Sequence, residues 1–358
     1  MAFFRSIGKI VLAVAGSGIA SLLLPSGRTA HSRFNIPLNI SESSICNIKK
    51  GTHLAALLQE TSIIIWDEAT MTDRRCFECV DRSLRDILDC KDVPFGGISV
   101  LLGGDFRQTL PVKPKKSMAE VISATLPNSI LWSQFTLHTL RTNMRLSTSE
   151  PSIATFASWL LEIGNGTVGV PLSEYAFTIE IPPALLIRPS ANPLQDLIDF
   201  VYTSDMLQNP AAAHLSNRAI VCPKNETVEQ INRHVLQTTT GPPKMYYSID
   251  SITTHTQHIF DPDILYPPEY LNQLNVSGFP LHELVLKINT PVMLLRNINP
   301  RLGLCNGTRL IVTQLLTHIV EATIITGTKI GNRVPIPRIK CVQTNPRFVS
   351  YANLGIQV

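Results

Sequence analysis

Ile63-Ile64-Ile65-Trp66-Asp67-Glu68-Ala69-Thr70 is the stretch on which the reading of this chain turns. Apolar residues run without a break into two adjacent carboxylates. A short continuous apolar run is the pattern of a parallel strand buried on both faces. Carboxylates at the carboxyl end of such a strand lie where open α/β sheets bind their ligands. One can hold Mg2+ through its waters, while the next orients or deprotonates an attacking water. The plainer reading is an acidic pair opening a helix, favoured there by the positive end of the helix dipole.

Working outward, Ile10 to Ala15 reads as a second buried strand. Gly16-Ser17-Gly18 turns it into a short helix, Ile19 to Leu24, that Pro25 stops. Leu54 to Leu58 reads as helix. From Thr72 the spacing of Phe77, Val80, Leu84, Ile87 and Leu88 predicts an amphipathic helix that Thr72 or Asp73 can cap. Ile98 to Leu102 is a third buried strand and Thr136 to Leu140 a fourth. Strands alternating with helices predict an α/β fold, a parallel sheet covered on both faces. A looser section then carries one helix around Leu194, Leu197, Ile198 and Val201. Ala219 to Cys222 reads as a strand feeding a helix with Val228, Ile231 and Val235, which opens a second α/β domain. The expected division is 1–213 and 214–358. Leu284–Ile288, Pro291–Leu295 and Arg309–Thr313 are β-type runs and form a small β insertion in the second part.

A chain of 358 residues can bury two cores. Its net charge of +4 and pI near 8.7 permit a nucleic-acid partner without requiring one. The seven cysteines are scattered, which suits reduced thiols inside a cell. Cys76-x-x-Cys79 falls within a helical pattern and reads as two helix-face residues, not as a zinc site. The N-terminal apolar run superficially suits a signal peptide, and the lack of any acidic residue before Glu42 suits a mitochondrial presequence. Against both, Gly16-Ser17-Gly18 interrupts that run. No uninterrupted apolar span of ~20 residues occurs, so no membrane partner is expected.

Two further segments add chemistry. In Leu101-Leu-Gly-Gly-Asp-Phe-Arg-Gln-Thr-Leu-Pro-Val112 the glycines allow a sharp turn, and Asp105, Arg107 and Gln108 are offered at one edge. A glutamine there can hydrogen-bond a γ-phosphate or its attacking water. In Leu140-Arg-Thr-Asn-Met-Arg-Leu146, Arg141 or Arg145 can reach a transferred phosphate. Alone, an arginine at such a place is more often a surface ion-pair former.

In order and spacing, Val11–Pro37, Ile63–Met71, Leu101–Val112, Leu140–Leu146 and Pro291–Val312 resemble the petite-integration-frequency family of DNA helicases. The resemblance is strongest to the helicase region of Helitron transposons. It implies a RecA-like P-loop NTPase domain of superfamily 1B and ATP-driven 5′ to 3′ movement on single-stranded DNA. The implied setting is DNA repair, recombination, telomere maintenance or Helitron transposition, in the nucleus or alternatively the mitochondrion. By this resemblance ATP and Mg2+ are the cofactors. Asp67 coordinates Mg2+, Asp105 lines the nucleotide site, Glu68 activates water, Gln108 senses the γ-phosphate and Arg145 supplies positive charge. Ser17, Thr29, His31 and Ser32 face the single strand, where short polar groups suit backbone phosphates. Lys113, Lys115 and Lys116 either extend that groove or form a solvated basic loop.

The phosphate loop itself, G-x-x-x-x-G-K-[ST], has no match in the sequence. Gly8-Lys9 is followed by Ile10, and in the resembled family such a pair lies downstream of the true loop. The expectation is a first domain lacking its phosphate-loop strand and helix, a chain short at its other end too, and a poor or dead ATPase. The alternative is an inactive transposon-derived fragment that binds single-stranded DNA. A third reading, an oxidoreductase, rests on Gly16-x-Gly18-x-x-Ser21 as a near dinucleotide fingerprint with Glu42 as its acidic partner.

Overall fold

A computed structural model of the chain describes residues 1–113, 116–144, 146, 151–173, 176–187, 190–208, 211–253, 267–274, 280–299, 302–327, 329–343, 350–356 and 358. It separates into two compact units, Met1–Leu186 and Ile187–Val358.

The first unit begins with helix α1 (Ala2–Ser6) and strand β1 (Ile10–Ala15). There follow α2 (Gly18–Leu23), β2 (Arg28–Thr29), α3 (Ala30–Phe34), α4 (His53–Gln59) and β3 (Thr61–Asp67). After α5 (Arg74–Ile87) come β4 (Ser99–Leu102), α6 (Met118–Ser123), α7 (Pro151–Asn165) and a hairpin of β5 (Val170–Ser173) and β6 (Ala176–Thr178). The order β2-β1-β3-β4 is parallel throughout, as the apolar runs predict. Registry pairs Ala15 with both Thr29 and Asp67, and Trp66 with Leu102. The strand ends therefore form one level rim.

Asp73, not Thr72, caps α5 by accepting from the Arg75 amide at 2.9 Å. The helix buries Phe77, Val80, Leu84 and Ile87 against the sheet, as its spacing requires. Trp66 lies between Phe34 and Phe77, with ring centroids at 5.9 and 4.4 Å. Cys76 and Cys79 lie on the same buried face, and Cys79 Sγ is 3.6 Å from Cys46 Sγ. Among the described residues no group of three His, Cys, Asp or Glu can hold a metal. No helix among them is long and apolar enough to cross a membrane.

Thr136–Leu140 corrects the sequence reading: it forms no strand, and Leu140 is 98% exposed. A strand needs a neighbour to satisfy its ladder, and among the described residues the parallel sheet ends at β4.

The second unit opens with α8 (Pro193–Val201), α9 (Ser204–Gln208), α10 (Ala212–Ser216) and α11 (Asn225–Thr238). α8 and α9 fall within the expected first part, 1–213, but their Ile198 and Leu207 pack with Ile231 of α11. Ala219–Cys222 is irregular instead of the expected strand. The β portion comprises β7 (Lys244–Tyr247), β8 (Ile249–Thr253), β9 (Glu283–Leu286) and β10 (Pro291–Met293), with helix α12 (Pro268–Leu271) before β9. It continues through β11 (Arg309–Leu315), β12 (Ile319–Ile324), β13 (Arg333–Gln343) and β14 (Ser350–Ile356). The antiparallel order β10-β11-β12-β13-β14-β8, beside a β7–β9 pair, exceeds the small insertion expected.

Candidate active site

Three loops meet at the carboxyl rim of the parallel sheet. The Gly16 amide donates to the Asp67 carbonyl at 3.3 Å, joining the ends of β1 and β3. The Gly103 amide donates to the Trp66 carbonyl, and the Ala69 amide to the Gly103 carbonyl, each at 2.8 Å, joining β3 to β4. Glycine permits these approaches. A Cβ on Gly16 would stand 3.1 Å from both the Glu68 carbonyl and Thr72 Oγ1, and one on Gly104 would stand 3.0 Å from Thr70 Cγ2. Thr70 Oγ1 donates to the Asp105 carbonyl at 3.3 Å, so the Asp67–Glu68 turn holds the Asp105 loop directly. Sequence reasoning passed over Thr70; its only signal was its place within the acidic motif.

Asp67 Oδ1 accepts from the Glu68 amide at 3.1 Å. Glu68 adopts φ 51° and ψ 42°, the left-handed region that residues with a Cβ rarely occupy. Its Oε2 is buried without a hydrogen-bond partner. Backbone strain and an unsatisfied carboxylate oxygen are both unfavourable for folding and mark a site organised for something other than stability. This oxygen-rich donor set suits a hard cation with its waters, so the residues fit Mg2+.

Asp105 Oδ1 accepts from the Arg107 amide at 3.0 Å and from Arg107 Nε at 2.9 Å. The Arg107 guanidinium holds the Asp105 carboxyl below the ordinary carboxylate range. A depressed folded pKa contributes order that is complete above the unfolded value near ~3.9 and is lost as pH falls through the folded value. An NMR titration of the Asp105 carboxyl is therefore expected to give a midpoint below ~3.9, and a midpoint at or above it would contradict the ion pair.

The Gln108 amide donates to the Asp105 carbonyl at 3.1 Å, placing Gln108 on the same loop with its side chain exposed. Asp67, Glu68, Asp105 and Gln108 are thus brought to one rim. Arg145 lies outside the described residues. Arg141 is exposed in an irregular segment.

The residues expected to face a nucleic acid lie at the β1 and β2 ends. Ser17 Oγ accepts from the Ala20 amide at 3.2 Å, and Thr29 Oγ1 from the Ser32 amide at 3.3 Å, so each caps a short helix. A hydroxyl used as a cap acceptor keeps its proton to donate. Ser32 is exposed. His31 is half-buried with Nε2 4.0 Å from Cys76 Sγ, and burial lowers its pKa, keeping the imidazole neutral near pH 7. Lys113 pairs with Asp73 and Lys116 with Glu120 at 2.7 Å. Lys115 lies outside the described residues. Glu42, the acidic partner in the dinucleotide reading, pairs with Arg74 at 2.8 Å at the start of α5.

Comparison with known proteins points to one family of helicases. The family model for PIF1-like helicase matches residues 1–173, and that for the DNA helicase Pif1 2B domain matches 269–315. The chain is 33% identical over 112 residues to the ATP-dependent DNA helicase Pif1 of Psychrobacter sp. (strain PRwf-1), covering 31% of this chain and 17% of the relative. It is 27% identical over 309 residues to the ATP-dependent DNA helicase PIF1 of Danio rerio, covering 86% of this chain and 40% of the relative. It thus spans less than half the length of either. Among solved structures, Bacteroides Pif1 bound to ssDNA has the same fold, with a TM-score of 0.61 at 21% identity over 99% of this chain and 73% of that one.

Proposed function

The chain belongs to the PIF1-like helicase family, and we propose that it is part of an ATP-dependent DNA helicase motor. The observation that carries this reading is the junction of Gly16, Asp67–Glu68 and Gly103–Gln108 at one sheet rim. There Asp67 holds Mg2+, Glu68 orients and deprotonates the attacking water, and Gln108 reads the terminal phosphate. Bound magnesium would neutralise charge on the triphosphate. The strained turn at Glu68 fixes its carboxylate in place, and its unpartnered oxygen is available to take a proton. Ser17 and Thr29, on the neighbouring strand ends, donate to phosphates of a single strand, contacts that position it without reading its sequence. Travel from 5′ to 3′ and a place in repair, recombination, telomere maintenance or Helitron transposition are part of this proposal, as is a nuclear or mitochondrial location.

One observation favours a second reading, a non-catalytic module that retains DNA contact: these 358 residues contain no G-x-x-x-x-G-K-[ST] motif. Both readings require single-strand binding. Fluorescence anisotropy is expected to show preference for oligothymidylate over duplex, with log K falling against log salt by about 0.7 for each phosphate neutralised. Alanine at Ser17 and Thr29 together should weaken binding. Equal affinity for duplex and single strand, or affinity indifferent to both substitutions, would reject the proposed face.

A further inference from the structure

Gly164 lies inside α7, one residue before its end. Glycine within a helix carries an entropic penalty relative to alanine, so its presence calls for a reason. Helix termination is not the reason. The glycine needed there is Gly166, at φ +70°, whereas Gly164 has no such φ. What Gly164 does provide is room. A Cβ on it would stand 3.1 Å from Arg107 Cδ and 3.4 Å from Arg107 Cβ and Cγ. The aliphatic stem of Arg107 therefore rests on the bare backbone of the helix.

The other end of Arg107 is fixed with equal definition. Its amide and Nε both donate to Asp105 Oδ1, the Asp105 carbonyl accepts from Thr70 Oγ1, and the Gln108 amide donates to that same carbonyl. A continuous path thus runs from Thr70, two residues from Glu68, through Asp105 and Arg107 to Gly164. Among the described residues none of α7 joins a buried apolar cluster. Its position is then sensitive to polar and steric contacts such as this one. The helix is followed by the β5–β6 hairpin and the end of the first unit at Leu186.

We propose that Arg107 is a positioning residue that couples the loop carrying Gln108 to α7 through its seat on Gly164. A change at the strand-end rim is thereby passed to the helix that precedes the β5–β6 hairpin. What drives the loop rests on the nucleotide reading given above; the coupling itself can be tested without nucleotide.

The test is amide hydrogen exchange, read by mass spectrometry on the full 358-residue chain. Gly164→Ala is the discriminating variant. Alanine is the better helix former, so without the seat it would slow exchange in α7 and leave the 103–108 loop unchanged. With the seat it is expected to quicken exchange in the 103–108 loop, and Gly164→Leu to do so by about tenfold. Arg107→Ala should quicken exchange at 158–165. The double variant Arg107→Ala with Gly164→Leu should add little to either single change, since contacting residues are not additive. Arg107→Lys keeps the stem on Gly164 but lacks the Nε donor; it should quicken exchange at 158–165 less than Arg107→Ala does. Unchanged exchange in β1 and α5 confirms folding, and Gly164→Ala serves if leucine prevents it. Substitutions that loosen only their own segment, or that add independently, would overturn the coupling. Loss of nucleotide binding with the exchange coupling intact would instead count against the rim reading alone.

Discussion

Replacing Glu68 with glutamine is expected to lower ATP turnover by ~10²–10⁴-fold in any form of this protein that hydrolyses ATP, the usual contribution of a positioned general base. Glutamine preserves the shape and the left-handed turn but cannot accept the proton of the attacking water. Single-strand affinity should not change, because Ser17 and Thr29 lie on other strand ends. The same reasoning predicts very slow turnover by the 358-residue chain on its own. Losing one preorganised oxyanion donor costs ~10²–10³ in rate, and the sequence has no phosphate-loop amides or lysine to offer. Joining a strand, a G-x-x-x-x-G-K-T loop and a helix ahead of Met1 is expected to raise turnover into a range where the Glu68→Gln loss can be read in single-turnover assays. Steady DNA-stimulated hydrolysis by the unmodified chain, indifferent to Glu68→Gln, would refute this assignment.

The second large effect concerns the support beneath that rim. Trp66 is 1% exposed, lies between Phe34 and Phe77, and immediately precedes Asp67. Trp66→Ala is expected to destabilise the first unit by about 3–5 kcal/mol, through lost transfer energy and the cavity left behind. Urea denaturation followed by circular dichroism measures it. Trp66→Phe should cost much less. The indole Nε1 is buried without a partner, so phenylalanine removes an unsatisfied donor along with part of the ring and offsets some of the lost packing. If the two substitutions cost the same, Trp66 is not the packed centre described above.

The parts of the fold legible in the sequence were those set by local pattern. Ile10–Ala15 and Ile63–Trp66 are continuous apolar runs, and Ile98–Leu102 is one broken by Ser99. All became parallel strands, but β4 is the edge strand and Leu101 is exposed, not buried as expected. The α5 helix followed from its spacing and cap. The rim followed because consecutive parallel strands end on the same side. What escaped depended on distant partners. β13 contains Pro335 and Pro337, which argue against a strand. Yet they pair with Glu321 and Ile319 as outward residues, while the alternating Val334 and Ile336 are buried. Thr136–Leu140 has strand-like composition but no adjacent strand among the described residues. Lys113 looked like a free cation until the fold brought Asp73 to it. The seat of Arg107 on Gly164 joins positions far apart in sequence, and nothing in either local pattern announces it. The strain at Glu68 is equally silent, since a glutamate gives no local sign that its backbone will be left-handed.

Calorimetry of a non-hydrolysable ATP analogue, with and without oligothymidylate, tests the nucleotide rim most directly. Weak Mg2+-dependent binding that tightens when the oligonucleotide is present, and that disappears in Asp67→Asn, is the predicted result. Analogue binding that survives Asp67→Asn, or single-strand binding with no analogue uptake under any condition, would contradict it.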